Sequence, residues 1–157
     1  MKKLAVVIVS YNVRHYLEQC LLSVRRAAQG IDYEIVAVDN ASQDDTVSSL
    51  SQRFKDEITL IESQHNLGFA RANNIAIRQT QSQYVLLLNP DTFIAETSLA
   101  DVLSYMDDHP QIGGVGVKMH NADGTLARES RRALPTPWIA LLKMLGCSKR
   151  YYMSHLS

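Results

Sequence analysis

Runs of β-branched and aliphatic residues recur along the chain and are separated by segments with helical spacing of apolar positions. The runs occupy residues 4–9, 34–38, 58–61, 84–88 and 115–119. Such alternation predicts an α/β domain in which crossover helices connect parallel strands. The first, second and fourth runs are apolar almost without alternation, which indicates strands covered on both faces. We therefore expect a mostly parallel sheet with helices on both faces.

Four helices are expected between these strands. They lie at residues 13–29, after the sequence ASQDDT (41–46), at 69–79 and at 98–108. Gly30 can cap the end of the first helix. In the second, Ser42 can cap the free amides, with Asp45 three residues later as in a variant of the capping box. The sequence NADG (121–124) predicts a turn between the fifth strand and a further short one.

Length and charge restrict the possible functions. A chain of 157 residues is long enough for one buried core. The formal net charge of zero argues against a nucleic-acid-binding protein, since such proteins carry a basic surface. Residues 126–157 are nevertheless basic, with six Lys or Arg against the single acid Glu129. This tail fits contact with anionic lipid or an acidic partner, and equally a solvated segment.

Cysteine content and hydropathy favour a cytoplasmic protein. Only Cys20 and Cys147 occur, which argues against a disulfide framework and against a cysteine metal cluster. The opening MKKLAVVIVS imitates a signal peptide but lacks a small-residue cleavage site. No apolar run approaches the ~20 residues that span a bilayer. We expect a cytoplasmic location, with peripheral contact at the inner face of the membrane through the tail as an open alternative.

Polar residues follow three of the predicted strands at the point where each strand ends. They are Ser10, Tyr11 and Asn12 after the first, Asp39 and Asn40 after the second, and Asn89 and Asp91 after the fourth. Each residue alone can be explained as a turn former or a helix cap. In an open parallel sheet, however, the carboxyl ends of adjacent strands line one crevice, where ligands bind. The sequence therefore predicts one polar site at this edge.

The motifs that are present and absent narrow the kind of site. The chain has no Walker A sequence and no GxGxxG after the first strand, so it does not hold phosphates as P-loop enzymes or dinucleotide-binding dehydrogenases do. A divalent cation on Asp91 can neutralise a diphosphate instead, and oxygen ligands are typical of Mg²⁺ or Mn²⁺. Asp39 can accept a hydrogen bond from a nucleobase or ribose.

Five segments resemble, in order and spacing, the amino-terminal half of family 2 glycosyltransferases, especially the rhamnosyltransferase-like members. They are VVIVSYN (6–12), EIVAVDNASQDDT (34–46), NLGFARANN (66–74), LLLNPDT (86–92) and ESRRALPTPW (129–138). The resemblance implies a Rossmann-like glycosyltransferase-A fold and a nucleoside-diphosphate sugar donor. It also implies that residues 1–125 bind the donor and that the tail, residues 126–157, leads toward an acceptor-binding part beyond this chain.

The resemblance also implies roles for individual residues. Ser10 and Asn12 would lie beside the base and ribose, and Asp39 would hold the nucleobase. Asn66, Gly68 and Asn73 would shape the nucleotide side of the pocket. Asn89 begins the sequence Asn-Pro-Asp, which stands where the family has a DxD-like metal motif, and Asp91 would be its last carboxylate and hold Mg²⁺ or Mn²⁺.

The family's mechanism inverts the anomeric centre, because a base deprotonates an acceptor hydroxyl that attacks the anomeric carbon directly. No residue of this chain matches the family's catalytic base, so no catalytic residue is assigned. A saccharide or lipid-linked acceptor is expected, as in polysaccharide or cell-wall biosynthesis. Two alternatives stay open: a metal-dependent nucleotidyltransferase, whose usual Gly-rich loop is missing from SYNVRHYL (10–17), and a catalytically inactive nucleotide-sugar-binding fragment.

Overall fold

The computed structural model describes residues 1–121, 123–127 and 144. Its strands are β1 (Leu4–Ser10), β2 (Tyr33–Asp39), β3 (Thr59–Glu62) and β4 (Tyr84–Leu88). Its helices are α1 (Arg14–Ala27), α2 (Thr46–Arg53), α3 (Phe69–Gln79) and α4 (Ser98–Asp108). The chain divides into two compact units, Met1–Pro110 and Gln111–Ser157. All eight of these helices and strands lie in the first unit.

The strands form one parallel sheet in the order β3-β2-β1-β4. Ser10 lies opposite Asp39 at the ends of β1 and β2, and Ile8 lies opposite Leu88 at the end of β4. The strand order reverses between β1 and β4, because the chain crosses back over β1 to reach β4. The expected parallel α/β sheet is confirmed. In sheets of this kind, ligands commonly bind in the crevice at such a reversal.

Apolar residues fill both faces of the sheet. On one face, α1, α2 and α4 bury leucines against Leu4, Val6 and Ile8 of β1. On the other, Ala72 and Ala76 of α3 pack on valines of β1 and β2. These two alanines are fully buried, and their small side chains let α3 lie close to the sheet. Helices therefore cover both faces, as the sequence predicts.

The prediction that β4 is covered on both faces is wrong. Val85 is 40% exposed and Leu87 is 49% exposed. They lie opposite Ala5 and Val7 of β1, on the face that carries α3. Because α3 packs over β1 and β2, no helix or strand in the described part of the chain covers this face of β4.

The prediction of a fifth strand at residues 115–119 is also wrong. These residues have no strand conformation, and Val115, Val117 and Met119 are exposed. Pairing in this region is one antiparallel bridge between His120 and Leu126. It flanks the predicted turn, in which the Asn121 amide donates to the Thr125 carbonyl oxygen at 2.8 Å. An alternating apolar segment forms a strand only where a neighbouring strand supplies hydrogen-bond partners. Among the described residues, no strand pairs with residues 115–119.

Two helix boundaries differ from the expectation. Helix α1 ends at Ala27, before Gly30, which has a φ of 80°. Helix α2 begins at Thr46 with Asp45 as its N-cap residue, so Ser42 does not cap it. The Asp44 carboxylate instead accepts the Thr46 amide hydrogen bond at 3.1 Å. Within the described ranges, every helix is too short or too polar to cross a bilayer.

Candidate functional site

The three predicted polar clusters follow strands that are neighbours in the sheet. Ser10 and Asp39 are paired in register, and Asn89 comes directly after Leu88, which lies opposite Ile8. The topology therefore brings the ends of β1, β2 and β4 to one edge, which we call the carboxyl edge. Both loops that border the strand-order reversal start here.

Hydrogen bonds join the loop after β1 to the loop after β2. The backbone amide of Asn40 donates to the Ser10 carbonyl oxygen at 2.8 Å, and the backbone amide of Asn12 donates to Ser42 Oγ at 2.9 Å. In return, Asn12 Oδ1 accepts the Gln43 amide hydrogen bond at 2.7 Å. Ser42 is therefore used at this junction, which explains why it does not cap α2.

Both loops contain a non-glycine residue with left-handed backbone geometry. Asn12 has a φ of 54° and Ala41 a φ of 69°. Asparagine tolerates this region, but alanine does not gain a local hydrogen bond there and adopts it at a cost of about 1–2 kcal/mol. Such strain persists where surrounding contacts impose it, and it is commonly found at functional sites.

Only one of the two carboxylate oxygens of Asp39 has a hydrogen-bond partner among the described residues. Oδ2 accepts the Ser42 amide hydrogen bond at 2.9 Å, so the residue does form a turn. Oδ1 is buried without a hydrogen-bond partner in the described part of the chain, and the neighbouring Ser10 Oγ is in the same state. Asp39 is 2% exposed and Ser10 is 1% exposed. An unpaired buried polar group costs about 1–3 kcal/mol and calls for an explanation.

Asn40 ties the loop after β2 to the loop before α3, a role that the sequence did not reveal. It is 4% exposed. Its Nδ2 donates to Asn66 Oδ1 at 2.9 Å, and its Oδ1 accepts the Leu67 amide hydrogen bond at 2.8 Å. The pattern Asp-Asn after a strand was the available signal, but it is equally typical of a simple turn.

Gly68 and Asn73 belong to the start of α3. Gly68 has φ 74° and ψ 166°, a region that only glycine adopts readily, and its amide donates to Asn66 Oδ1 at 2.9 Å. Asn73 is buried and donates from Nδ2 to the Phe69 carbonyl oxygen at 2.8 Å, within its own helix. The Asn66 side chain thus links the two loops through Asn40, whereas the hydrogen bond of Gly68 lies within the loop before α3 and that of Asn73 is internal to α3.

Asn89 and Asp91 are exposed on the loop after β4. The Thr92 amide donates to the Asn89 carbonyl oxygen at 3.1 Å, which closes a turn around Pro90 and Asp91. The Asp91 carboxylate has no hydrogen bond or ion pair among the described residues. Nearby, burial raises the pKa of the Cys20 thiol to about 12, and the charge of Asp91 acts in the same direction. Cys20 is therefore a neutral donor and not a nucleophile.

Asp91 fits one kind of metal binding. Within the described residues, no group of three His, Cys, Asp or Glu side chains is placed to hold an ion. A cation here would have one protein carboxylate and would take its other ligands from water and a bound phosphate. This is how Mg²⁺ is commonly held in phosphate-binding enzymes, and the hard oxygen donors of Asp91 suit it or Mn²⁺.

A cleft of about 590 Å³ lies away from this edge. It is lined by residues before β1 and β2 and by one side of α4, including Lys3, Asp32 and Asp107. Lys3 Nζ and Asp107 Oδ1 form an ion pair there at 2.7 Å. The cleft is at the amino-terminal edge of the sheet, where a parallel sheet does not place its ligand. We therefore place the candidate site at the carboxyl edge.

Comparison with known proteins gives the same picture. The family model described as Glycosyl transferase family 2 matches residues 5–156. The poly(ribitol-phosphate) beta-N-acetylglucosaminyltransferase TarS of Staphylococcus aureus is 25% identical over 146 residues, which cover 90% of this chain and 25% of that protein.

Solved structures of such proteins share the fold. Residues 1–349 of S. aureus TarS in complex with UDP-GlcNAc match with a TM-score of 0.60 and 26% identity, over 69% of this chain and 32% of that one. The mannosyltransferase PcManGT from Pyrobaculum calidifontis, in complex with GDP-Man and Mn²⁺, matches with a TM-score of 0.61 and 25% identity. That match covers 69% of this chain and 33% of the mannosyltransferase. The expected glycosyltransferase-A fold is thereby confirmed, and the chain belongs to glycosyl transferase family 2.

Proposed function

We propose that this chain binds a nucleoside-diphosphate sugar at the carboxyl edge, as the donor-binding part of a glycosyltransferase. The sugar would pass to a saccharide or lipid-linked acceptor with inversion at the anomeric carbon. TarS was solved with UDP-GlcNAc and the mannosyltransferase with GDP-Man and Mn²⁺, and the family relationship supports a donor of the same class here. The chain spans about a quarter of the length of TarS, so the activity of the whole enzyme is part of the proposal.

The unpaired carboxylate oxygen of Asp39 carries this proposal. Oδ1 is a charged acceptor at the end of β2, and Oδ2 is already held by the Ser42 amide. A donor group on the ligand, such as a ring N–H of a nucleobase, would satisfy Oδ1 once a small movement admits it. Ser10 Oγ, on the adjacent strand end, would be paired by the same ligand. Asn12 and Asn66 border this position through the loops that they join.

Asp91 is proposed to hold Mg²⁺ or Mn²⁺ next to the diphosphate, with Asn89 in the same turn. A bound cation would neutralise the diphosphate and so stabilise it as a leaving group. Gly68 and Asn73, at the start of α3, would border the nucleotide side. The residues of this chain thereby hold the base at β1 and β2 and the diphosphate at β4, with the anomeric carbon left open to the acceptor.

In the proposed reaction, the acceptor hydroxyl oxygen forms a bond to the anomeric carbon as the bond to the diphosphate oxygen breaks. The hydroxyl proton passes to a base that we do not assign to any residue of this chain. The nucleotidyltransferase alternative gains no support from the relatives above, which are glycosyltransferases. The proposed cytoplasmic location depends on cysteine content and hydropathy. The proposed membrane contact depends on residues 126–157, most of which lie outside the described residues.

Calorimetric titration with UDP and GDP, with and without Mn²⁺, tests the function. We expect at least one of them to bind and Mn²⁺ to strengthen binding by tenfold or more. Asp91→Asn should remove this gain, because an amide is a much poorer cation ligand. Asp56→Asn, which changes another exposed carboxylate far from β4 in the sequence, is the matched control and should keep it. If the Asp91 variant gains as much from Mn²⁺ as the wild type, Asp91 does not hold the cation.

A further inference from the structure

Two buried side chains of α1 hold the loop that carries Asp91. Ser23 is fully buried, and its Oγ accepts the Ile94 amide hydrogen bond at 3.1 Å. Cys20 is 1% exposed, and its Sγ donates to the Asn89 carbonyl oxygen at 3.6 Å. The two contacts bracket Asp91 on both sides along the chain.

The spacing of Cys20 and Ser23 in α1 lets both side chains contact the loop after β4. Positions three apart in a helix lie on the same face, so Cys20 and Ser23 meet the loop side by side. The Ser23 hydroxyl donates to the Cys20 carbonyl oxygen at 2.7 Å, which fixes the hydroxyl and turns a lone pair toward the loop. Ile94 is itself buried in the core beneath α1. Residues 90–93 thus lie between Asn89 and Ile94, both of which are hydrogen-bonded to α1.

Nothing else among the described residues holds the Asp91 side chain, since its carboxylate has no hydrogen bond or ion pair there. Its position therefore depends on the backbone of the loop. A carboxylate that must bind a cation next to a bound nucleotide tolerates little displacement. Functional groups act only when they are held within about 0.5 Å of the productive geometry.

We propose that Ser23 and Cys20 are positioning residues for the cation site, which act by holding the loop of residues 89–94 and so placing Asp91. This rests on the proposed function of Asp91 as the cation ligand. Neither residue would touch the ligand itself. Loss of either anchor should leave nucleoside binding at β1 and β2 intact and weaken only the contribution of the cation.

The test uses this chain with Ser23→Ala, Cys20→Ala and Cys20→Ser, the last of which keeps a donor to the Asn89 carbonyl oxygen. Three quantities are measured: amide hydrogen exchange of Ile94 without ligand, affinity for UDP and GDP without metal, and the gain in affinity on adding Mn²⁺. Val36→Ala, in β2 on the α3 face, is the control for general loss of stability. Global unfolding is measured for each variant so that exchange through unfolding can be subtracted.

For Ser23→Ala we expect exchange at Ile94 to be at least tenfold faster, most of the Mn²⁺ gain to be lost, and the metal-free affinity to stay within twofold. Cys20→Ala should lose part of the gain and Cys20→Ser should keep most of it. Val36→Ala should change neither the gain nor the local exchange. If Ser23→Ala does not fold, the two Cys20 variants decide the matter by the same measures.

An unchanged Mn²⁺ gain in the variants would overturn the proposal, and so would an equal loss of metal-free affinity, which would show a merely structural role. If the wild type binds nucleotide without any response to Mn²⁺, the proposed role of Asp91 fails instead. The proposal that Ser23 and Cys20 position the cation site then fails with it, and faster exchange at Ile94 in Ser23→Ala would show only that Ser23 holds the loop.

Discussion

Asn40 and Asn66 are joined side chain to side chain, with Asn40 Nδ2 donating to Asn66 Oδ1 at 2.9 Å. The same Asn66 oxygen accepts the Gly68 amide hydrogen bond, and Asn40 Oδ1 accepts that of Leu67. One buried amide group thereby sets the path of the chain from β3 into α3. These hydrogen bonds join the loop after β2 to the loop before α3 on the nucleotide side of the proposed site.

Replacing Asn40 by alanine should lower the free energy of unfolding by about 1–3 kcal/mol, because the partly buried Leu67 amide loses its partner. Urea unfolding measures this loss, and hydrogen exchange at Leu67 should become faster in the folded protein. Asn74→Ala, at an exposed position of α3, should be neutral. Equal stability of the Asn40 variant and the wild type would show that water replaces the side chain at no cost.

Gly68→Ala should destabilise the protein by about 1–3 kcal/mol through its backbone alone. An added Cβ would meet no atom within 4 Å, so a steric clash is not the cause. The cost comes from φ 74° and ψ 166°, which disfavour any residue with a side chain. Gly113→Ala is the matched control, since its surroundings are equally open and its φ lies outside the left-handed range. A Gly68 variant as stable as that control would contradict this explanation.

Glu18 should make the stability depend on acid pH. It is 7% exposed, accepts hydrogen bonds from Ser49 and Arg53, and pairs with Arg14 at 3.0 Å. The Ser49 hydrogen bond and then the two arginines hold the pKa of Glu18 below its ordinary value of 4.5, against the opposing effect of burial. A lowered pKa in the folded state means stabilisation that is present above pH 4.5 and is lost as the pH falls below it.

Urea unfolding of the wild type and Glu18→Gln at pH 7 and pH 3.5 checks this. At pH 7 the variant should be less stable by about 1.5–3 kcal/mol, the usual value of hydrogen bonds to a charged group. The difference should shrink at pH 3.5, which lies below the ordinary pKa of 4.5, because the unfolded wild type binds a proton there and the stabilisation is reduced. Glu57→Gln, in an exposed pair with Arg25, should show almost no difference at either pH. A constant difference for Glu18→Gln would rule out charge as its cause.

Asp39→Asn should weaken nucleotide binding by about 10- to 150-fold, which corresponds to the loss of a charged hydrogen bond of about 1.5–3 kcal/mol. The amide oxygen can still accept the Ser42 hydrogen bond, so the turn should survive. The strengthening by Mn²⁺ should persist, because Asp39 ends β2 whereas Asp91 lies on the loop after β4. Calorimetry with UDP and GDP measures both effects. Glu62→Gln, on the strand end next to Asp39, is the control, and an equal loss there would mean that only local charge matters.

Some of this architecture follows from local sequence properties. Uninterrupted apolar runs predict β1 and β2 because a buried parallel strand needs apolar side chains on both faces. Helices α3 and α4 have the bounds expected from their apolar spacing and from Gly68 and Pro110. The clustering of Ser10, Asp39 and Asn89 was also predictable, since parallel strands must bring their carboxyl ends to one edge.

Other features depend on partners that are distant in sequence. Val85 and Leu87 have the composition of a buried strand but stay exposed, because α3 lies over β1 and β2. Residues 115–119 have strand composition without strand pairing. Ser42 was expected to cap α2, yet Asn12, thirty residues away, takes its hydroxyl. In each case the local residue permits several structures and a distant group selects one.

The order of the four strands and four helices and the set of polar residues at the carboxyl edge follow from periodicity and residue type along the chain. The family was indicated by five segments that resemble it in order and spacing. The pairing of those polar groups was set by the tertiary structure. It left Asp39 Oδ1 and Ser10 Oγ without partners, used Asn40 to join two loops, and placed Ser23 against Ile94. Hydrogen bonding in a folded chain is decided by distances between residues far apart in sequence, and the linear pattern does not contain those distances.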